Sequence, residues 1–484
     1  MSGRLTSLTS KLTYANVLAT VALFLALGGT SYAVTALPRN SVGTKQLKAR
    51  AVTKGKVAKN AIDGSHVRDG SLSSVDFAAG TLLRGERGEP GAAGPQGIPG
   101  AAGSTGDTGP QGVQGPAGTL DAPGFATSTI LSATNPRDTA VAIGSDGYAV
   151  IAAVSAPTVY VSHCENLACS AATTTQIATG GSTAGGTSIA INSQGVPVVA
   201  FHGEAAGASG GQIKVATCAN VVCTSATTEV VDPGAGSVYG DQTSITIGTD
   251  GLPVVAYFTT ATRDLLLVHC TSATCSTASA PITVASAGWV GEYVDIAVGT
   301  DGRPVMAYYD RTNGDVEFAR CADAVCTSAS ASTFATANSD GLGTSIAIGG
   351  DGLPVITYGD TTGKSANLIH CTAMDCSTTD ATVVLATDPN AIAFTSVAIG
   401  SDGLPAVSFY RYQQYDLGYA HCATVTCASN STATLLTDGI VGGYSTLAFG
   451  VDGRAVIAST RAGVSPTIPF VHCGSITCTP NQRS

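Results

Sequence analysis

The sequence predicts an all-β protein: a seven-bladed β-propeller over 121–484, preceded by a collagen-like triple-helical segment over 85–120 and a pentad-repeat spacer over 34–84. Three observations predict it. All 14 cysteines fall into C-x4-C pairs: Cys164/Cys169, Cys218/Cys223, Cys270/Cys275, Cys321/Cys326, Cys371/Cys376, Cys422/Cys427 and Cys473/Cys478. The pairs begin 54, 52, 51, 50, 51 and 51 residues apart, and a period of about fifty belongs to a propeller blade or a solenoid turn. A big-small-big strand and an Asp-Gly turn precede six of the pairs, and glycine occupies every third position from Gly85 to Gly118.

Residues 1–33 read as an export signal or an uncleaved signal anchor. Arg4 and Lys11 supply a positive start, Val17 to Leu27 an apolar stretch, and Ser31-Tyr32-Ala33 a cleavage site. With no cysteine before Cys164, a lipoprotein anchor is excluded.

In the spacer a large apolar residue recurs every five positions, at Val42, Leu47, Val52, Val57, Ile62, Val67 and Leu72. A small β-solenoid fits this period, and a disordered spacer is the alternative. Lys45, Lys48, Arg50, Lys54, Lys56 and Lys59 make its first half basic. They suit either an anionic envelope surface or solvent.

The G-x-y run holds twelve successive glycines, with Pro90, Pro95, Pro99, Pro110 and Pro116 presetting φ. Only glycine fits the axis of three wound polyproline-II chains, so the run predicts a homotrimer with a stalk roughly 100 Å long. A flexible Gly/Pro linker is the competing reading.

Each later unit reads as four antiparallel strands. Asp-Gly between apolar runs closes a hairpin, because glycine accepts the positive φ of the tight turn. This argues against a parallel solenoid. Pro197, Pro253, Pro304, Pro354 and Pro405 open second strands, where proline is tolerated. The third strand runs into the first cysteine and a Ser/Thr-rich fourth leaves the second. The last unit lacks room for a fourth strand, and Phe125 to Asn135 resembles one, so the N-terminal strand is expected to complete the last blade.

Each cysteine pair brackets a hairpin turn and is expected to form a disulfide. A metal site is the competitor, because His163, His269, His370, His421 and His472 each precede a first cysteine. Adjacent strand residues face opposite ways, and one pair supplies half the ligands of a structural zinc. The histidines are expected to be half-exposed strand residues, and no metal or other cofactor is implied.

Tyr14-Ala15-Asn16-Val17-Leu18-Ala19-Thr20, Ala26 to Ala33, the pentads and the G-x-y run resemble bacterial, especially actinobacterial, collagen-like exported proteins over about residues 10 to 118. The later units resemble propeller repeats of secreted bacterial proteins, loosely akin to kelch and sialidase types. The sialidase Asp-box S-x-D-x-G-x-T-W is absent; Ser401-Asp402-Gly403 lacks its spacing and tryptophan. The resemblance implies a secreted or surface-exposed trimer and no activity.

Residues 125–484 hold 26 Asp/Glu against 11 Lys/Arg, which argues against a nucleic-acid partner. Asp-Gly and C-x4-C turns should share one uniform face, leaving a ligand site for the other. Its candidates are Trp289, Tyr293, Asp310, Arg311, Tyr410, Arg411 and Tyr412, with Glu292, Asp360, Tyr415 and Arg461 beside them. Aromatics beside Arg and Asp suit a glycan, or a protein ligand. No catalytic constellation stands out. The expected function is a non-enzymatic stalked surface protein with a head for adhesion, ligand binding or envelope structure; the alternative is a secreted hydrolase or lyase acting on polysaccharide at the variable face.

Overall fold

The computed structural model describes residues 14–32, 124–132, 136–179, 185–204, 211–236, 242–334, 341–389, 391–463 and 465–479. The pentads and the G-x-y run lie outside them. A helix spans Tyr14–Tyr32, a proline-free run rich in Ala and Leu. Among the described residues no helix is long and apolar enough to cross a membrane.

The remaining described residues form seven four-stranded antiparallel sheets. Six are built from consecutive strands. The seventh combines Ile440–Phe449, Ala455–Ala462 and Thr467–Cys473 with Phe125–Ser132, whose register sets Phe125 opposite Cys473 and Ser132 opposite Thr467. Strands from both ends of the propeller thus share one blade, and the ring closes without an open edge.

The inner strands, in blade order, are Pro136–Ile143, Gly185–Ile191, Thr243–Ile247, Val290–Val298, Gly341–Ile348, Ile392–Ile399 and Ile440–Phe449. The second strands carry both faces of each sheet into the core. Ala149–Ser155, Pro253–Thr259 and Pro304–Asp310 are buried at every position, which explains their near-continuous apolar sequence. Apolar side chains gather in seven clusters, one at each junction between neighbouring blades. Between blades 1 and 2, for example, Val150, Val154 and Val161 meet Val199 and Phe201. The outer strands are mostly half-buried or exposed, as in Ala329–Phe334, where no residue is fully buried.

At every Asp-Gly turn the glycine has φ between 71° and 87°. The aspartate does two jobs. One oxygen accepts the backbone N–H two residues on, as Asp250 does from Leu252 at 3.0 Å. In five blades the other meets the Nε2 of the histidine before the first cysteine, over 2.7 to 3.1 Å: His163–Asp146, His269–Asp250, His370–Asp351, His421–Asp402 and His472–Asp452. In blade 4 Arg320 replaces histidine and pairs with Asp301. Four of the histidines are therefore not half-exposed, as the sequence suggested: His163, His269 and His370 are 4 % exposed and His421 6 %, and His472 alone keeps partial exposure. Antiparallel register brings the third strand's end beside the turn that opens the second strand, so a repeated spacing becomes a buried contact across the blade.

The cysteines form seven disulfides, each within one blade: Cys164–Cys169, Cys218–Cys223, Cys270–Cys275, Cys321–Cys326, Cys371–Cys376, Cys422–Cys427 and Cys473–Cys478. The expected pairing holds, but the expected start of the fourth strand needs correction. The second cysteines do not open that strand; they lie in the turn itself. Cys169, Cys223, Cys275, Cys326, Cys376, Cys427 and Cys478 all have φ between 50° and 58°, the left-handed region that L-residues enter at a cost. Each donates its N–H to the carbonyl three residues back, as Cys275 does to Ser272 at 3.0 Å. After Cys169, Cys223, Cys326 and Cys427 the outer strand begins only at Ala172, Ala226, Ala329 and Asn430, and after Cys275 and Cys376 at Ile282 and Val383. The reason is geometric. A left-handed residue turns the chain out of extended backbone, and a few more residues are needed before the ladder resumes. Disulfides on this scale belong to chains folded in an oxidising compartment.

Candidate functional site

Each inner strand presents one edge to the central channel, where its N–H and C=O groups have no further strand to pair with. Small side chains from neighbouring blades satisfy many of them. Three residues before each big-small-big triplet lie Asp138, Gly186, Gln242, Tyr293, Gly343, Phe394 and Tyr444 in turn, and in six of the blades the strand bulges at or beside this position. The next residue is usually threonine, and its hydroxyl donates to the bulge carbonyl of the preceding blade. Thr139 reaches Tyr444 at 2.6 Å, Thr243 reaches Gly186 at 2.8 Å and Thr395 reaches Gly343 at 2.7 Å; Thr344 does the same to Tyr293.

One residue deeper lies a second ring. Ser244 Oγ accepts from Ile296 N–H at 3.2 Å, Ser345 from Val397 and Ser396 from Leu447, both at 3.1 Å. Blade 4 places Asp295 in this ring. Its Oδ1 accepts from Ser244 Oγ at 2.8 Å and Ile296 N at 3.0 Å, and its Oδ2 from Ser345 Oγ at 2.8 Å and Ile346 N at 2.9 Å. Burial raises its pKa although all four donors oppose the shift. With both oxygens occupied, Asp295 is a knot between blades 3, 4 and 5 and not a free acid.

The two rings wall a cavity of about 270 Å³ at the variable face. Aromatic side chains crowd its mouth. Tyr293, Phe394 and Tyr444 all lie at bulges and have φ of 55°, 52° and 48°, uncommon for aromatic residues and held only by surrounding structure. Phe394 is the hub: its ring centroid is 4.5 Å from Tyr444, 5.9 Å from Tyr293 and 6.4 Å from Tyr410, and Tyr410 is 5.7 Å from Tyr412. Blade 5 makes room with glycine, since a Cβ on Gly343 would lie 2.3 Å from the Phe394 Cα. Tyr412 and Tyr444 remain 51 % and 41 % exposed. Burial pushes the Tyr410 hydroxyl up to about 12, helped by Tyr415 and Tyr412.

Asp138 occupies the bulge position in blade 1, half-buried on the cavity wall. Its Oδ1 accepts from Thr139 N at 2.9 Å and its Oδ2 from Thr187 N at 2.7 Å. Burial nevertheless lifts its carboxyl to about 7. Its charge is among the influences raising the Tyr444 hydroxyl, after burial itself.

Of the residues expected from sequence, Tyr293, Tyr410 and Tyr412 come together here. Trp289, Glu292 and Arg311 form an adjoining group. Trp289 Nε1 donates to Glu292 Oε1 at 2.7 Å, and the same oxygen takes Arg311 Nη1 at 3.2 Å. Asp310 is 2 % exposed and occupied in its own turn, accepting from Thr312 N at 2.8 Å and from Asn313 Nδ2 at 2.6 Å. Asp360 accepts from Gly363 N at 2.5 Å in the equivalent turn of blade 5. Arg411 lies over Phe409, and Arg461 faces Asp438 at 3.7 Å. Asp138, Phe394, Tyr444 and Gly343 were missed. Reading down the bulge position across the seven repeats is the signal that finds them: it varies between acid, amide, glycine and aromatic.

No protein-family model matches the sequence, and no curated protein matches it. Among solved structures, the chain is similar to an ulvan lyase of polysaccharide lyase family 25 (TM-score 0.48, 13 % identity, covering 74 % of this chain and 97 % of that one). It is also similar to an α-L-arabinanase from Penicillium chrysogenum (TM-score 0.45, 11 % identity, 73 % and 99 %) and to the NanB sialidase from Streptococcus pneumoniae (TM-score 0.42, 9 % identity, 72 % and 70 %). At such identities the likeness concerns the fold alone.

Proposed function

We propose that the propeller is the glycan-binding head of an exported, stalked protein, and that the sugar seats at the mouth of the central channel. The observation that carries this reading is the cluster of Tyr293, Phe394 and Tyr444, three aromatics held in left-handed backbone at equivalent positions around one cavity. Propeller closure alone needs no aromatic there, since blades 2 and 5 use glycine. Partly exposed rings beside hydroxyls and a carboxyl match the alternating apolar and polar faces of a sugar. In this reading the G-x-y segment joins three heads on one stalk, and the basic spacer lies toward an anionic envelope surface.

The test is affinity electrophoresis of the head against a panel of soluble polysaccharides, beside a Phe394→Ala/Tyr444→Ala variant. A retarded wild-type head whose affinity falls by about tenfold in the variant supports the reading. A head retarded by no polysaccharide, or a variant that behaves as wild type, defeats it.

A second reading, cleavage of the bound glycan, is favoured by one observation. The Asp138 carboxyl, raised to about 7, stays partly protonated near neutral pH and lines the cavity, where its protonated form can donate to a departing glycosidic oxygen. New reducing ends released by the wild-type head and not by Asp138→Asn support cleavage; binding without release leaves the head a lectin-type module.

A further inference from the structure

Beside the channel mouth, two arginines share one indole. The guanidinium carbon of Arg263 lies 4.7 Å from the Trp289 ring centroid and that of Arg311 4.9 Å. The backbone explains how they meet. Trp289 lies on the link between blades 3 and 4, and that link hydrogen-bonds to a turn on either side. Val290 N donates to Arg263 O at 3.1 Å, and Arg311 N donates to Trp289 O at 2.9 Å. Trp289 N also donates to Thr312 Oγ1 at 2.7 Å. Arg263 itself has φ 68°, so its turn holds a bulky residue in a conformation better suited to glycine.

The electrostatics of this group are unbalanced. Two cations lie within 5 Å of one ring centroid. Among the described residues Arg311 pairs with Glu292, and Arg263 has no ion pair. This happens on a head with 26 acidic and 11 basic residues, where an exposed basic pair is against the general trend. Arg311 is 58 % exposed while Glu292 is 11 % exposed, so the cations face solvent and the compensating acid lies beneath. Guanidinium groups present forked donors that match a carboxylate or a sulfate. The indole, occupied by both arginines and stacked with Phe258 at 6.2 Å, serves to hold them.

We propose that Arg263 and Arg311, braced on Trp289, form a subsite for the anionic group of an acidic glycan, a uronate carboxylate or a sulfate ester. This deepens the glycan reading and rests on it: Glu292 is followed directly by Tyr293, so the subsite adjoins the aromatic mouth. A chain lying across the mouth then places one charged substituent on the arginine pair, and neutral chains lose that contact.

Trp289 is the only tryptophan, so its fluorescence reports this subsite alone. The intact head is titrated with sodium glucuronate and with sodium sulfate, each against sodium chloride of equal ionic strength. A saturable change beyond chloride is expected, with a preference for glucuronate or for sulfate identifying the group recognised. Arg263→Gln/Arg311→Gln should weaken it by roughly tenfold or more per arginine, and the Lys/Lys pair, charged but unforked, should fall between. A wild-type response no different from chloride, or a Gln/Gln response within about threefold of wild type, overturns the inference. Oligogalacturonate and its carboxyl-reduced counterpart separate this from the glycan reading. Phe394→Ala/Tyr444→Ala should weaken both oligosaccharides while the glucuronate response at Trp289 persists; equal binding of the two by the wild type, with loss in the mouth variant, retains the glycan reading and removes the anionic subsite.

Discussion

His421 binds protons less readily in the fold than in the open chain, and the cause is its buried position. Burial lowers its pKa from 6.5, and the Asp402 carboxylate 3.1 Å away offsets only part of that. A folded pKa below the unfolded one means that the contribution is present above pH 6.5 and is lost as pH falls through the folded value. Stability of the head should therefore decline below about pH 6.5, by up to ~1.4 kcal/mol per pH unit for this group once the two pKa values separate. Urea midpoints across pH 4 to 8 check it. His421→Gln should flatten the acid limb, and an unchanged slope would count against a neutral His421. Asp138 runs the other way: with a folded pKa of about 7 against 3.8, its contribution is full in acid and lost as pH rises through 7. The sequence shows both residues but neither environment. A histidine beside a cysteine is as consistent with a surface strand, and only antiparallel register puts the Asp-Gly carboxylate against its ring.

Among the elements, the inner strands carry the most demanding chemistry. Their unpaired edges are satisfied by hydroxyls reaching from the neighbouring blade, and Asp295 takes four donors where the other blades offer a serine or threonine hydroxyl or, in blade 1, Ala140. An amide cannot replace it. Either orientation of Asp295→Asn sets an NH₂ against the fixed N–H of Ile296 or Ile346. The substitution should cost about 2 kcal/mol, seen as a lowered thermal midpoint with the far-ultraviolet spectrum retained; a loss below about 0.5 kcal/mol would show that the knot contributes little. The hairpins themselves were legible. Asp-Gly, strand-opening prolines and paired cysteines are local signals, and each resolves within a few residues of chain. The bulges were not, because a left-handed Tyr293, Phe394 or Tyr444 has no local motive; packing around the channel imposes it.

Around the whole ring, closure depends on Phe125–Ser132 lying beside Thr467–Cys473, a pairing between residues more than three hundred positions apart. The stalk is a separate matter and remains our proposal. If Gly85 to Gly118 winds with two further copies, Gly97→Val has no room at the axis. The substitution should lower the melting temperature of the trimer while the head, with its own core and seven disulfides, stays folded. Sedimentation of the full-length protein with circular dichroism of the polyproline signal decides it. A monomer without that signal, indifferent to Gly97→Val, reduces the segment to a linker.

Blade count, cysteine pairing and the strand that closes the ring could all be read from the order of residues, because a repeat writes the same local rule seven times and makes the exceptions visible. The face on which the chain varies was marked in the same way. Which of the varying residues meet depends instead on three-dimensional packing. Neighbours in the channel mouth are about fifty residues apart, one per blade, and no spacing within a blade announces that Asp138, Tyr293, Phe394 and Tyr444 look onto one cavity. The ring brings them together because each blade turns the same position toward a shared axis, and burial at that axis then shifts the Asp138 carboxyl to a value that its amino-acid type alone does not give.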